Sequence, residues 1–412
     1  MIKRNALLTL LLTVVLLCFS GCGKKADSNT PAATLQPVNN TVATEPETTV
    51  EPTTQEVKPV TIKLSAVGDM LMHGGVSAPA VQADGSYNYD YLFANLHDKI
   101  SGADLAVVNN EVVMGGNEKG NIGYPMFNVR TELANGEANA GFDVALLATN
   151  HSLDQNASGL LHTMEYWQTN FPDVSIIGAN PTPEDAAKIC VRNVNGINVA
   201  LLNYTYGTNG IPVPEGYEYI LNYMTEGTKD RIADDIKKAK EMADFVIVFP
   251  HWGTEYNLSA SEEQKQWASF FANQGVDLVI GTHPHVIEPI EWVEGKDGHK
   301  TLVYYSLGNF VSLQYYNFSM LGGLAEVEIT KDASGTHISS YDMEFLVTHY
   351  TGNRSSVTTY LLDEYTDELA AAHSIHTEPG SEYTEINSYY PFTVAGLKSI
   401  AKSVCPEQAK DY

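Results

Sequence analysis

The stretch GTHPHV places His283 and His285 two residues apart, directly after the apolar run VDLVI. Residues i and i+2 of a strand share a face, so this spacing is expected to aim both imidazoles into one space. Other apolar runs end in comparable chemistry: Gly68-Asp69, Asn109-Asn110-Glu111, Asn150-His151, His251-Trp252-Gly253 and Ser306-Leu307-Gly308-Asn309. Carboxylate, amide and imidazole groups together suit divalent ions such as Mn, Zn or Fe, and the lack of thiolate disfavours a purely structural zinc site. A carboxylate can bridge two such ions about 3.5–4 Å apart, and the pair can then hold both the attacking and the leaving oxygen of a phosphoryl transfer. Lone histidines such as His299 and His349 read instead as residues that satisfy core or strand-end polar groups.

Elements of a particular kind must carry these residues. Seven short apolar stretches between residues 60 and 310 read as strands buried on both faces: VTIKLSAVGD, ADLAVVNNE, FDVALLATNH, INVALLNYTY, ADFVIVFPHWG, VDLVIGTHPH and TLVYYSLGNF. Helical patterns lie between several of them. TKDRIADDIKKAKEMA carries Ile232, Ile236, Ala239 and Ala243 at helical spacing, and SEEQKQWASFFANQG opens with a Ser261/Gln264 capping box and closes at Gly275. Strands alternating with helices predict an α/β layered fold, mixed β-sheets flanked by helices. Ligand sites of open α/β sheets lie beyond the carboxyl ends of strands, where six of the seven runs end in Asp, Glu, Asn, His or Ser. No internal repeat is present.

The flanks place the domain. MIKRNALLTLLLTVVLLCFSGCGKK has a basic start, an apolar run and small residues before a cysteine, the layout of an export signal. Residues 1–21 are therefore read as a signal peptide. FSGC is similar to a lipobox with Cys22 as the lipid-bearing residue, although Phe19 stands where Leu is preferred; a lipid there predicts attachment at the extracellular face of a bacterial cell membrane. Residues 22–60, rich in Thr, Pro, Glu and Asn, offer too little apolar surface to fold and are read as a disordered tether. The formal net charge of −26 excludes a nucleic-acid partner, and long polyanions would be repelled unless metal ions screened the contact. Cys190 and Cys405 are the cysteines beyond the signal region, and pairing between them is left open. No P-loop and no G-x-S-x-G elbow occurs, which argues against an ATP-dependent synthetase and a serine hydrolase.

Taken in order, AVGDMLMHGGV, VVNNEV, ATNHSLDQNASGLL, FPHWGTEY, GTHPHVIEPIEW and YSLGNFV resemble the CapA family of bacterial capsule (poly-γ-glutamate) synthesis proteins, related to the calcineurin-like metallophosphoesterases. The resemblance implies a metallophosphoesterase-like domain over residues 61–345 and leaves 346–412 as an acidic helical C-terminal extension. It further implies metal ligands at Asp69, Glu111, Asn150, His251, His283 and His285, with Glu111 bridging and His151 contacting substrate or protonating a leaving group. One position would be served by Asp69, Glu111 and His285, the other by Glu111, Asn150, His251 and His283. Leu71 replaces an imidazole expected two residues after Asp69, which weakens the first position, and His73 is expected as a loop histidine facing solvent. Asn156 stands where relatives often have Gly, and Glu288 where many have Gln. Asp154 and Glu255 are candidate carboxylates for orienting His151 and His251. Two function classes are implied: a phosphoesterase acting on an envelope phosphoester, and a non-catalytic part of a membrane complex that makes or exports an anionic polymer.

Overall fold

The computed structural model describes residues 58–352, 356–377 and 381–412, without the side chains of 381–384. The expected signal peptide, Cys22 and nearly all of the tether lie outside the described residues. In chain order the strands are β1 (Val60–Met70), β2 (Leu105–Asn109), β3 (Val144–Leu146), β4 (Ser175–Ile177), β5 (Cys190–Val194), β6 (Ile197–Thr205), β7 (Phe245–His251), β8 (Leu278–Ile280), β9 (Ile290–Glu294), β10 (Lys300–Tyr304), β11 (Asn309–Val311), β12 (Leu321–Asp332), β13 (Gly335–Thr351) and β14 (Ser356–Leu361). The helices are α1 (His97–Ser101), α2 (Glu132–Ala140), α3 (Asn156–Asn170), α4 (Lys229–Met242), α5 (Glu262–Gln274), α6 (Asp367–Ala372), α7 (Ser381–Tyr389) and α8 (Val394–Val404).

These strands form two mixed sheets flanked by helices, the expected architecture. One runs β14-β13-β12-β1-β2-β3-β4 with β11 beside β1; the other runs β5-β6-β7-β8-β10-β9. Strands β1 to β4 are mutually parallel, as are β6, β7, β8 and β10, so each sheet has a parallel heart edged by antiparallel strands.

The second sheet shows why its strands read as unbroken apolar runs. Val199, Leu201, Ile247, Leu278 and Leu302 enter a core shared with the first sheet, whereas their neighbours Ala200, Leu202, Val246, Val248, Val279 and Val303 face a second core. That second core is closed by Ile232, Ile236 and Ala239 of α4 and by Trp267 and Phe271 of α5. Alternation is present, but both faces are buried, so the sequence pattern is continuous. Each fully buried side chain of this size contributes about 1.5–3 kcal/mol. The capping box at Ser261 and Gln264 and the left-handed Gly275 end α5 where the sequence predicts.

The boundary expected at residue 345 falls inside β13. β14 extends the first sheet, and Leu362, Tyr365, Phe392, Leu397 and Ile400 join the main core. The C-terminal segment is therefore part of the domain's packing, and its helices are preceded by a strand that the sequence reading passed over. Strand β14 is short and two-sidedly mixed, SVTTYL, which carries little periodic signal. Cys190 and Cys405 are both unpaired.

Candidate metal centre

Parallel strands of both sheets deliver their carboxyl ends to one place. Asp69 is the penultimate residue of β1, Glu111 lies two residues past β2, Asn150 four past β3, His251 ends β7, and His283 and His285 come after β8. All six are buried. Two bare backbone contacts make the convergence possible. The N–H of Asp69 donates to Gly308 O at 2.9 Å, and a Cβ on Gly68 would lie 1.9 Å from that oxygen. Likewise a Cβ on Gly281 would lie 2.1 Å from Tyr305 O.

His283 and His285 converge by a different route from the one their spacing predicts. β8 ends at Ile280, and both histidines sit in a turn with positive φ, +102° and +60°. Their rings still lie 5.8 Å apart, and that of His283 lies 4.9 Å from that of His251. Strand alternation therefore does not aim them; a strained left-handed turn does, the kind of backbone that clusters at functional sites. Asn156 also has φ +60°, which explains why Gly suits that position and Asn tolerates it.

Two groups of ligand atoms lie within 4.8 Å of one another: Glu111, His283 and His285, and Asp69, Glu111 and His251. Glu111 belongs to both. The groups cut across the expected division of ligands between two positions, so the cluster is one continuous nest of donors. Asp69 is held from several sides: Oδ1 accepts from Asn109 Nδ2 at 2.9 Å, both oxygens face the His283 N–H, and Oδ2 accepts from His285 Nδ1 at 3.0 Å. The other ring nitrogen, His285 Nε2, lies 3.8 Å from Glu111 Oε1. His251 Nδ1 is 3.0 Å from Thr282 Oγ1, while its Nε2 meets Asn150 Oδ1 at 2.8 Å and Glu111 Oε1 at 3.6 Å.

The chemistry of this donor set fits a divalent cation. Both oxygens of Glu111 and the Nδ1 of His283 are buried without any hydrogen-bond partner. A carboxylate in that setting must hold a proton or face a cation, because an uncompensated buried charge costs several kcal/mol. Burial, and then the neighbouring Asp69 charge, push the Glu111 carboxyl well above its usual range. Burial pushes His251 and His283 far below theirs, so both imidazoles are neutral, the form that ligates metal. Among the described residues no thiol takes part.

His151 stands beside the cluster. Its Nδ1 is 2.7 Å from Asp154 Oδ2, and its Nε2 is 3.5 Å from Asn209 Nδ2. The same Asp154 oxygen accepts from the N–H of Phe127 at 2.6 Å. Glu255, the other carboxylate proposed to orient an imidazole, is exposed; Thr282 takes that place at His251. Gly253, with φ +96°, turns the chain after β7, and Glu255 lies in the outward loop. His73 does not face solvent as expected: it is half-buried, its Nδ1 accepts from the N–H of Leu313 at 3.3 Å, and its ring meets Phe127 edge-on. Leu71 is buried and donates nothing to the cluster. Trp252 packs on Phe271 and Tyr305 and bonds Tyr305 O, so it belongs to the core.

The sequence reading passed over one strand end, that of β6. Tyr206 lies against the rings of His283, at 4.7 Å, and His251, and Asn209 accepts from Asn150 Nδ2 at 3.3 Å. The rule that located the other six would have located TYGTNG, since β6 is parallel to β7. A cavity of about 520 Å³ opens beside the cluster, bordered by His151, His285, Tyr124, Phe127, Tyr256 and Tyr315 among others.

Comparison with known proteins bears on this geometry. The chain is 32% identical over 197 residues to the PGA biosynthesis protein CapA of Bacillus subtilis, covering 47% of this chain and 49% of that protein. It is 29% identical over 260 residues to the capsule biosynthesis protein CapA of Bacillus anthracis, covering 61% and 59%. It thus spans between half and three fifths of the length of these curated relatives. Among solved structures, a novel phosphatase of Mycoplasma pneumoniae is 16% identical with a TM-score of 0.45, covering 70% of this chain and 95% of that one. A calcineurin-like phosphoesterase of Bacillus subtilis is 14% identical with a TM-score of 0.41, covering 70% and 91%. Residues 63–314, which carry every member of the cluster, match the family described as bacterial capsule synthesis protein PGA_cap, and the chain belongs to that family.

Proposed function

We propose that this protein serves the making or export of an extracellular capsule polymer of the poly-γ-glutamate type, and that its buried cluster holds one or two divalent ions (Mn, Zn or Fe) and cleaves a phosphoester. The observation that carries the second half is Glu111, a buried carboxylate common to two ligand groups and lacking any protein donor. The names of the curated relatives support the first half. In this reading a lipid on Cys22 ties the chain to the outer face of the membrane beside a polymer-synthesis complex, and the substrate is an envelope phosphoester or an anionic polymer.

Ions bound by the cluster would supply positive charge to a phosphoryl oxygen and ease deprotonation of an attacking water. The chain's own residues do the rest. Asp154 accepts the Nδ1 proton of His151, which fixes that tautomer and leaves Nε2, at the cavity wall, to take a proton and return it to a departing oxygen. Asp154 also stabilises the imidazolium while it lasts. Asn109, Thr282 and Asn309 hold the scaffold: Asn109 on Asp69, Thr282 on His251, and Asn309 Nδ2 on His285 O at 3.2 Å.

The test is elemental analysis of the full chain purified in detergent, coupled to hydrolysis of phosphomonoester and phosphodiester probes with and without added manganese. Bound metal with metal-dependent hydrolysis is expected. Bound metal without hydrolysis of either probe would move the protein to the non-catalytic class, and no bound metal would remove the reading of the cluster. For the anchor, Cys22→Ala is expected to release the protein or leave it as an uncleaved precursor; retention on the membrane at unchanged mature mass would sink the lipid assignment.

A further inference from the structure

We infer that the cavity beside the cluster is a subsite for a neutral sugar ring carried by the phosphoester, so that the substrate is a glycosyl phosphate and not a polyanion. The inference rests on the phosphoester reading of the cluster and adds the part of the substrate that does not react.

Charge makes the first cut. Among the described residues no lysine or arginine borders the cavity; their one acidic group there is the exposed Glu255, and the remaining ionisable groups are histidines and tyrosines. Sites that bind carboxylate or phosphate chains use arginine forks or lysines, and a γ-linked polyanion would meet only Glu255 beyond the metal-binding end. One anionic group therefore fits, at the cluster, and the moiety attached to it must be uncharged.

Shape and polarity make the second. Tyr124 and Phe127 line the cavity from one loop, Tyr256 and Tyr315 from the segments after β7 and β11, giving several aromatic faces around about 520 Å³. Gln314 and Glu255 add hydrogen-bonding groups, and Gln314 Nε2 already donates to the Tyr256 hydroxyl at 3.1 Å. A sugar presents C–H faces to aromatic rings and hydroxyls around its edge, which satisfies both. An acyl chain would cover the Glu255 carboxylate without pairing it. Tyr124 is 75% exposed, and Ile122 and Met126 on the same loop are exposed too, so this aromatic wall forms the mouth of the cavity.

Position makes the third. His151 and His285 border the same cavity, so a ring lodged there has its phosphate against the cluster. Asp154 Oδ2 accepts from both His151 Nδ1 and the Phe127 N–H, which fastens the aromatic loop and the proton-carrying histidine to one carboxylate.

The experiment is calorimetric binding to the full chain in detergent with manganese present. The probes are a panel of hexose and N-acetylhexosamine 1-phosphates, their methyl glycosides, glycerol 3-phosphate and tetra-γ-glutamate. The best sugar phosphate is expected to bind at least tenfold more tightly than glycerol 3-phosphate. Tyr124→Ala and Tyr315→Ala should reduce that ratio below threefold with bound manganese unchanged, and Tyr124→Trp should restore it. Equal affinity for sugar phosphate and glycerol phosphate, or tetra-γ-glutamate binding more tightly than either, would overturn the subsite. A methyl glycoside that binds, loses affinity in Tyr124→Ala and gains nothing from a phosphate would leave the subsite standing and remove the phosphoester reading beneath it.

Discussion

Two regions of this molecule each gather three histidines, and they differ in what surrounds the rings; His376 in the second is exposed, the other five are buried. At the strand ends, His251, His283 and His285 face Asp69 and Glu111, and the oxygens of Glu111 have no donor. In the C-terminal packing, His349 Nδ1 meets the Tyr365 hydroxyl at 2.7 Å, His373 Nε2 donates to Thr348 O at 3.1 Å, and His376 Nε2 donates to Ala370 O at 2.9 Å. Among the described residues no carboxylate bonds to those three rings. Histidines satisfied by neutral partners finish a core. Histidines beside an unpartnered carboxylate, here Glu111, leave negative charge that only a proton or a cation can balance.

The largest expected effect comes from removing the shared carboxylate. Glu111→Gln should weaken metal binding by about 3–5 kcal/mol, the cost of breaking a buried charge pair. The same variant should be more stable than the parent when both are metal-free, since the buried charge is gone. Competitive chelator titration and urea unfolding measure the two quantities, and unchanged metal affinity would erase the distinction between the regions. Next, His373→Ala should cost about 2–4 kcal/mol through the cavity left among Tyr350, Phe392 and His349, with metal content untouched. A loss of metal in that variant would show the two clusters to be coupled.

Smaller again, Asp154→Asn should lower turnover about 10- to 100-fold while metal remains bound, because His151 loses the group that fixes its tautomer. Turnover equal to the parent's would remove His151 from the chemistry.

Acid and base separate the regions in sign. Burial lowers His373 to about 3 against 6.5 for an unfolded histidine, so the unfolded chain binds the extra proton between those values. Stability is then full above pH 6.5 and falls toward pH 3 by up to about 1.4 kcal/mol per unit, and His373→Phe should flatten that slope. Glu288, buried beside Gln264 near the cluster, behaves oppositely: burial lifts it to about 8 from 4.5, so the folded chain binds the extra proton and stability falls as pH rises through that window. Glu288→Gln should remove the second slope and leave the first, measured as urea midpoints across pH 4–8. The smallest effect belongs to Glu255→Gln: Thr282 and not Glu255 holds His251, so metal affinity should change less than about twofold, within the range of exposed charges.

The sequence alone determined much of this. Apolar runs of strand length, helices with readable caps and polar residues at run ends were sufficient to specify two-sided strands, α4 and α5, because those signals are local and periodic; the family resemblance of the motifs then picked the six residues that meet from among the run ends. It also separated His349 from the cluster, since no acidic run end accompanies it. Only the tertiary structure decided the rest. Left-handed turns at His283 and His285, rather than strand alternation, aim the imidazoles, and the His283 N–H in that turn is held by the distant Asp69 carboxylate. Thr282 in place of Glu255, the contribution of Tyr206 and Asn209, and the overlap of two ligand groups on Glu111 depend on which strand lies beside which. So does the place of the C-terminal segment, whose strand β14 has no pattern of its own and takes its conformation from pairing with β13. Register and sheet order are long-range quantities, and a single sequence carries them only through contacts it does not spell out.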